Sequence, residues 1–399
     1  MRVLLLTHYF PPEVGAPQTR LAELAAGLAR RGHEVTVHTA PPHYPDGVIR
    51  APYDNRPLRR ERASDGVRVV RSAVYATPNR GIARRLLNHL SHAASALATA
   101  PATGPCDVVV AESPPLFTAA AGVLYARAKR APLVLNVADL WPETAVELGV
   151  MTAPGPVAAA QALASACYAG AAAIAVPTEG MVERLDAIAA ARGKALRIPP
   201  AVAVERFDAA APPPPDGPLR VLYAGTVGHS QGIGTLIDAV ARAGEGVELT
   251  LAGSGAEAGD VRAEVERRGA ANVRFAGMVA RDEVPALYAA HHAGAVVLRD
   301  RRLFDAALPT KLLEVMAAGR AAVVSARGDS AALVEGAGAG VAVAPEDGEA
   351  LAAALRDLAG DRERVRRLGE AGRRHVERHF RRDTMVDRWA ALLESVAGG

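Results

Sequence analysis

Lys311 and Glu314 stand out as residues that could do chemistry together, in the stretch Leu308-Pro309-Thr310-Lys311-Leu312-Leu313-Glu314-Val315-Met316-Ala317-Ala318-Gly319. Pro309 suits the first position of a helix and Gly319 the residue just past its end. Leu312, Val315 and Met316 then share one apolar face, and Lys311 and Glu314 share another. The free N–H groups and partial positive charge of a helix N-terminus attract anions. Thr310 and the ammonium of Lys311 add to that attraction. Glu314, one turn further in, repels a phosphate but can accept hydrogen bonds from two neighbouring hydroxyls, such as those of a ribose. Phosphate at the tip with ribose behind it describes a nucleoside diphosphate. The same spacing also fits an ordinary amphipathic helix with a surface ion pair.

Other candidates lie where apolar runs end. Leu219-Arg220-Val221-Leu222-Tyr223-Ala224 empties into Gly225-Thr226-Val227-Gly228-His229-Ser230-Gln231-Gly232, where glycines would let backbone N–H groups approach a diphosphate. Leu249-Thr250-Leu251-Ala252 ends in Gly253, and Ala295-Val296-Val297-Leu298 in Arg299. Arg299 is either a pyrophosphate or donor-sugar contact or a plain surface arginine. Leu133-Val134-Leu135-Asn136-Val137 runs into Ala138-Asp139-Leu140-Trp141-Pro142-Glu143. There Asp139 or Glu143 could orient an acceptor hydroxyl or take its proton, or simply cap a helix and line its first turn. Near the start, Val3-Leu4-Leu5-Leu6 leads to a Pro-rich loop carrying Glu13 and Gly15, with Arg20 following. That loop reads as a substrate contact or as a rigid connector.

These turns need a repeated scaffold of buried strand, loop and amphipathic helix. Strand runs recur through both halves, with helical stripes such as Leu21, Leu24, Ala25 and Leu28 between them. Such alternation predicts doubly wound parallel sheets with ligands at the strands' carboxyl ends. Around Ile198-Pro199-Pro200 the rhythm stops, and Pro212-Pro213-Pro214-Pro215 marks a semi-rigid linker. The expected organisation is an N-terminal domain over 1–200, a linker over 201–218 and a second domain over 219–382. A last helical stripe is carried by Val386, Trp389, Leu393 and Val396.

At 399 residues the chain can bury two full-sized cores. Half of it is hydrophobic and 4% aromatic, so Ala, Val and Leu must build those cores. A net charge of +3 is too weak by itself to argue for nucleic acid, so none is expected as a partner, and it is compatible with an anionic substrate or membrane surface. Cys106 and Cys167 lack metal or redox spacing and read as thiols of a reducing cytoplasm. No acidic pair stands out as a metal site, so neither metal nor other cofactor is expected. No apolar run reaches the roughly 18 residues of a membrane span. From Asn79 to Thr99, Arg80, Arg84 and Arg85 sit beside Ile82, Leu86, Leu87 and Leu90. Such a segment covers the sheet or lies in a lipid interface, which would place the protein at the inner face of a membrane.

The run Pro309-Thr310-Lys311-Leu312-Leu313-Glu314-Val315-Met316-Ala317-Ala318-Gly319, followed by an apolar strand, resembles the donor-binding motif of family 4 glycosyltransferases. These are retaining enzymes of the GT-B fold, in which two Rossmann-like domains face a central cleft. Asp139-Leu140-Trp141-Pro142-Glu143 resembles the bacterial surface-polysaccharide branch, which includes N-acetylfucosamine-transferase-like enzymes. The resemblance spans nearly the whole chain. It implies a sugar transferase acting from a nucleotide-diphosphate donor on a glycan, lipid-linked or small-molecule acceptor. It implies donor contacts at Gly15, Gly225, Gly228, Gln231, Gly253, Thr310, Lys311 and Glu314. Acceptor contacts would come from Glu13, Arg20, Asp139, Trp141 and Glu143, and chemistry from Asp139, Lys311 and Arg299. It also implies that the last helix, about 383–399, crosses back onto the first domain. The chain departs from the family before the linker, where Pro199-Pro200-Ala201-Val202-Ala203 stands in place of the usual Pro-Asn-Gly-Val-Asp, and at three single positions. Ala306 stands where a second glutamate is usual, Gln231 where the family at large has a lysine, and Ala16 where the first loop usually has a second glycine. A sugar-nucleotide epimerase of the same fold, or a non-catalytic nucleotide-binding module, would share the donor half of this pattern.

Overall fold

A computed structural model of the chain describes residues 1–13, 15–44, 46–63, 65–78, 81–208, 216–228, 230–255 and 257–398, with only the backbone of Ala16 and Ile82. Arg80, His229 and the prolines 212–215 lie outside the described residues. The chain divides into two compact units, 1–200 with 382–399, and 201–381.

The first unit is built on eight strands: β1 (Arg2–Leu6), β2 (Glu34–Thr39), β3 (Leu58–Arg62), β4 (Arg68–Ser72), β5 (Val108–Ser113), β6 (Leu133–Val137), β7 (Ala173–Val176) and β8 (Ala195–Arg197). Their order is β3-β4-β2-β1-β5-β6-β7-β8, and every pairing is parallel except the edge pair β3/β4. The central strands are buried on both faces, and β5 and β6 have no exposed residue. That is why they read as continuous apolar runs. The chain leaves β1 toward β2 and returns to its other side at β5, so the sheet changes direction at β1. Loops leaving β1 and β5 therefore flank the crevice where doubly wound sheets bind ligands. The last helix, Arg382–Gly398, packs here against the helix Ala16–Arg30. A Cβ on Gly27 would collide with Val386 at 2.4 Å, and Arg31 Nε bonds Asp387 Oδ1 at 2.7 Å.

The second unit carries six parallel strands: β9 (Leu219–Ala224), β10 (Val247–Ala252), β11 (Val273–Gly277), β12 (Ala293–Val297), β13 (Ala321–Ser325) and β14 (Gly340–Val343). Their order is β11-β10-β9-β12-β13-β14, which puts the change of direction at β9, between β10 and β12. One face of the sheet packs Ile233, Leu236, Val240, Leu351 and Leu355, and the other Leu312, Leu313, Val315, Met316 and Val376. Residues 201–208, expected within the linker, belong to this unit. Val202, Val204 and Phe207 are apolar enough to be buried in its core, and Val202 N bonds Phe380 O at 2.9 Å.

Candidate functional site

In the second unit, four expected elements meet at the carboxyl end of the switch strand. The helix Thr310–Ala317 starts with Thr310, one residue later than expected. Pro309 has extended backbone (ψ 131°) and serves as the N-cap. Gly319 ends the helix at φ 65°, a left-handed conformation that favours glycine. Thr310 is exposed at the helix tip, and no side chain caps the first-turn N–H groups. Lys311 lies across the end of β9. Its Nζ donates to the Tyr223 hydroxyl at 2.7 Å and sits 4.1 Å from the centre of that ring. The hydroxyl in turn donates to Thr226 O at 2.6 Å.

Gly225 follows directly, and its missing side chain makes room for the lysine. A Cβ there would sit 3.3 Å from both Lys311 Cε and Nζ. Gly253, after β10, crosses the Gly225 backbone so closely that a Cβ would meet Gly225 O at 1.9 Å. Gly228 and Gln231 lie in the same turn, with a Cβ on Gly228 3.3 Å from Gln231 Oε1. Burial pulls the Lys311 ammonium down to about 8, with Glu314 opposing the shift. Burial likewise raises Glu314, against the nearby charges of Arg281, Arg206 and Lys311. These two groups are therefore half-buried charges at a strand end. They are not the solvated surface pair that the spacing alone also allowed, and no ion pair joins them among the described residues.

Arg299 stands at the end of β12, on the other flank of the switch point. Its Nη2 bonds Glu257 Oε1 at 3.0 Å. Its Cγ would lie 3.4 Å from a Cβ on Gly232, which adopts φ 57°. The guanidinium is thus tethered beside the glycine-rich turn, with Glu257 as a carboxylate that the sequence pattern did not single out. Ala306 is buried in the short turn Arg302–Ala306 that precedes the helix, so no carboxylate projects from that position.

In the first unit, the acceptor candidates separate by role. Glu13 is 9% exposed, and its Oε1 accepts from the backbone N–H groups of His43 (2.7 Å) and Tyr44 (2.8 Å). That carboxylate braces a loop. Gly15 precedes the helix Ala16–Arg30 as its N-cap residue, in extended conformation. Arg20 turns inward, forming an ion pair with buried Glu112 and reaching Asn136 Oδ1 at 3.4 Å. Asn136 Nδ2 donates to the other Glu112 oxygen at 2.6 Å. Burial raises Glu112, and Arg20 and Asn136 counter the shift. Asp139 is not the helix cap that its position suggested. The cap of the helix Glu143–Glu147 is Pro142, and Asp139 Oδ1 accepts from Thr144 Oγ1 at 2.6 Å. Burial raises the Asp139 carboxyl as well, against the hydrogen bond from Thr144. Glu143 occupies the first helical turn, as expected. Trp141 and Glu112 both line a cavity of about 540 Å³.

A histidine network beneath this region was not singled out in the sequence. His43 Nδ1 donates to Pro41 O (2.8 Å), and its Nε2 accepts from the Asn88 amide (3.0 Å). Asn88 Oδ1 accepts from His8 Nε2 (2.8 Å). His89 and His92 each pack edge-on against His8 at 4.9 Å between ring centres. Burial holds His8 well below its ordinary range, His38 and His92 at about 3 and His89 at about 4. Folding thus requires neutral imidazoles that are free to protonate when unfolded. The unfolded chain binds more protons between about pH 6.5 and the folded values, so stability falls as pH drops through that window. Each such group lowers stability by up to about 1.4 kcal/mol per pH unit. Thermal melts should fall steeply below pH 6.5, and less steeply in His92→Leu, which removes one of the four groups. A pH-independent melting temperature between pH 7 and 5 would contradict the network.

Two family models match the chain, the glycosyl transferase 4-like domain over residues 15–201 and glycosyl transferases group 1 over 204–375. The chain belongs to the family 4 glycosyltransferases of the GT-B fold. WcaI of Escherichia coli, a glycosyl transferase assigned to colanic acid biosynthesis, is 27% identical over 89% of this chain and 91% of its own length. Among solved structures, sucrose-phosphate synthase from Thermosynechococcus elongatus superposes with a TM-score of 0.78 at 19% identity, over 99% of this chain and 98% of its own. Anabaena HepE in complex with UDP and glucose superposes at 0.71 with 18% identity, over 99% of this chain and all of its own. As a member of this family, the protein is a glycosyltransferase. Among the described residues no helix is long and apolar enough to cross a membrane.

Proposed function

We propose that this glycosyltransferase moves a sugar from a UDP-linked donor to a hydroxyl of a glycan, lipid-linked or small-molecule acceptor, with retention of configuration. The observation that carries the reading is the cation at the switch point. Lys311 is held over Tyr223 and against Gly225, with the first-turn N–H groups beside it and Glu314 one turn behind. A diphosphate at the helix tip would meet Lys311, the free N–H groups and the backbone of Gly225, Gly228 and Gly253. Ribose hydroxyls would donate to Glu314. Gln231 would add an uncharged donor, and Arg299 would reach the pyrophosphate or the sugar from the other flank. The UDP held by HepE supports uracil as the base.

In a retaining transfer the leaving diphosphate gathers negative charge. Lys311, Arg299 and the helix N–H groups, which cluster at the end of the switch strand, would stabilise it. A cationic side chain in this role makes a metal ion unnecessary, so metal independence is part of the reading. Asp139 would orient the acceptor hydroxyl or take its proton, with Trp141 and Glu143 forming the surroundings. The protein would work on the cytoplasmic side, with the basic 80–90 segment against an anionic membrane. The two epimerase and binding-module readings account for the donor half alone.

Thermal shift against a panel of nucleotides tests the donor assignment. A ligand at about 100 times its dissociation constant stabilises by roughly 2.7 kcal/mol, and UDP should stabilise most. In Glu314→Ala the loss of hydrogen bonds to a charged acceptor should cost ~1.5–3 kcal/mol of UDP affinity, with the unliganded melting temperature nearly unchanged. Equal UDP affinity in both proteins would remove the ribose role.

A further inference from the structure

The charges of β3, Leu58-Arg59-Arg60-Glu61-Arg62, are sorted onto two faces by the alternation of a strand. Arg59 and Glu61 share the face of buried Arg71, whose Nε donates to Glu61 Oε1 at 2.6 Å. Glu61 is thereby committed to that face. Arg60 and Arg62 take the other, where Arg62 stands directly opposite Arg68 of β4 and Arg68 lies level with Thr36 of β2. Like charges directly opposite one another destabilise a strand pair. The Glu34 carboxylate reaches Arg68 at 3.6 Å, with both groups exposed, and offsets little of that repulsion. Among the described residues, Arg60 and Arg62 make no side-chain ion pair or hydrogen bond.

The same three arginines line a cavity of about 450 Å³, a volume within the range of small-molecule sites. Its other wall is Ala102-Thr103-Gly104, at the end of the short turn Ala100–Thr103. Behind that wall Lys129 Nζ donates to Gly104 O at 2.7 Å, bringing up a further cation. Thr36 lines the cavity although it is only 4% exposed, and its hydroxyl has no hydrogen-bond partner among the described residues. A buried hydroxyl without a partner is costly, so this one suits an oxygen brought by a ligand. Glu61 also borders the cavity, with its carboxylate turned to Arg71. The Arg62–Arg68 pair lies at the amino end of β4, whereas the crevice lies at the carboxyl ends of the parallel strands. None of the candidate donor or acceptor residues lines this cavity.

We propose that this cavity is a second anion site, which takes a small phosphorylated molecule between Arg60, Arg62 and Arg68, with the Thr36 hydroxyl donating to a phosphate oxygen. The proposal stands apart from the transferase reading, since it uses neither the donor nor the acceptor residues. Guanidinium forks match phosphate oxygens in geometry as well as in charge. A phosphoryl group has enough terminal oxygens to bridge Arg62 and Arg68 across the strand pair and still meet Arg60 or Thr36. The bound anion would cancel the repulsion between β3 and β4, so binding and the stability of this sheet edge are linked. The cavity is larger than one phosphate, which leaves room for the rest of the molecule beside Val70 and Ala102.

Inorganic pyrophosphate and ribose 5-phosphate are the probes, titrated calorimetrically into the full-length protein with UDP present to occupy the proposed donor site. At least one should bind saturably at one site, and the tighter of the two tells whether the natural ligand is an inorganic or an organic phosphate. Arg62→Gln should weaken that binding by about tenfold or more, the scale of one hydrogen bond to a charged group. Thr36→Val keeps the shape of the buried side chain and should weaken it by a similar factor. Without added anion, Arg62→Gln should melt no lower than the parent, because it relieves the repulsion across β3 and β4. The tighter probe should then raise the melting temperature of the parent and not that of the variant, and sodium chloride at matched ionic strength should raise neither. Absence of saturable binding by both probes would overturn the proposal. So would equal affinity in the parent and Arg62→Gln, or equal stabilisation of the parent by sodium chloride.

Discussion

Lys311→Met should lower turnover by about 10²–10³-fold, the scale seen when one preorganised donor to a developing negative charge is removed, while UDP affinity falls far less. Methionine keeps the apolar stem beside Gly225 and removes only the ammonium. The asymmetry follows from charge that grows as the bond to the diphosphate breaks, because only interactions stronger in the transition state raise turnover. The same ammonium should leave a mark on pH dependence. Burial brings it down to about 8 in the free protein, so the protonated, active fraction declines as pH rises through that value. The ratio kcat/KM should fall above pH 8 in the parent, and the Met variant should lack that limb. Equal losses in turnover and affinity would reduce Lys311 to a ground-state anchor. No loss in either would make its contact with Tyr223 merely structural.

Arg20→Ala should destabilise the first unit by about 3–5 kcal/mol, the usual cost of leaving a buried charge without its partner. Glu112 is 4% exposed at its side chain, and Asn136 alone cannot neutralise it. The deficit should depend on pH in a way that plain loss of packing would not. Without Arg20 the Glu112 carboxyl rises further, so the folded variant takes up a proton that the unfolded chain holds only weakly. The stability gap between variant and parent should therefore narrow as pH falls toward 5. Adding Glu112→Gln to Arg20→Ala should recover part of the loss at neutral pH. Chemical denaturation of the three proteins measures this, and a pH-independent gap would show that the pair is not buried as described.

Much of this architecture was legible because the chain states it locally. A parallel strand buried on both faces must be a short apolar run, and β1, β5, β6, β9 and β13 read that way. The donor turn was legible for the same reason: Gly225 and Gly253 follow directly on apolar strands, and at Gly253 the crossing backbone of Gly225 excludes any Cβ. Strand β3, Leu-Arg-Arg-Glu-Arg, left no such signal. It is an antiparallel edge strand with one neighbour, and its apolar content is a single leucine.

Partners far apart in sequence were equally hidden. Arg20 meets Glu112 across 92 positions and Asn136 across 116, and nothing local in those segments marks the contact. The 82–98 helix shows a different limit. Periodicity located its leucine stripe but could not say which side faces inward. That side is decided by His8 and His43, which arrive from other loops to satisfy Asn88. Arg299 and Glu257 follow the same rule, since an arginine at a strand end looks free until the fold brings up its carboxylate.

The most direct test of the central claim is proton NMR of the intact protein with a UDP-sugar and a lipid-linked saccharide acceptor, without added metal. UDP should accumulate only with acceptor present, and the new glycosidic anomeric signal should keep the donor's configuration. Inverted configuration would contradict retention. Conversion of the donor into an isomeric UDP-sugar, or donor binding without any UDP release across a broad acceptor panel, would contradict the transferase account itself.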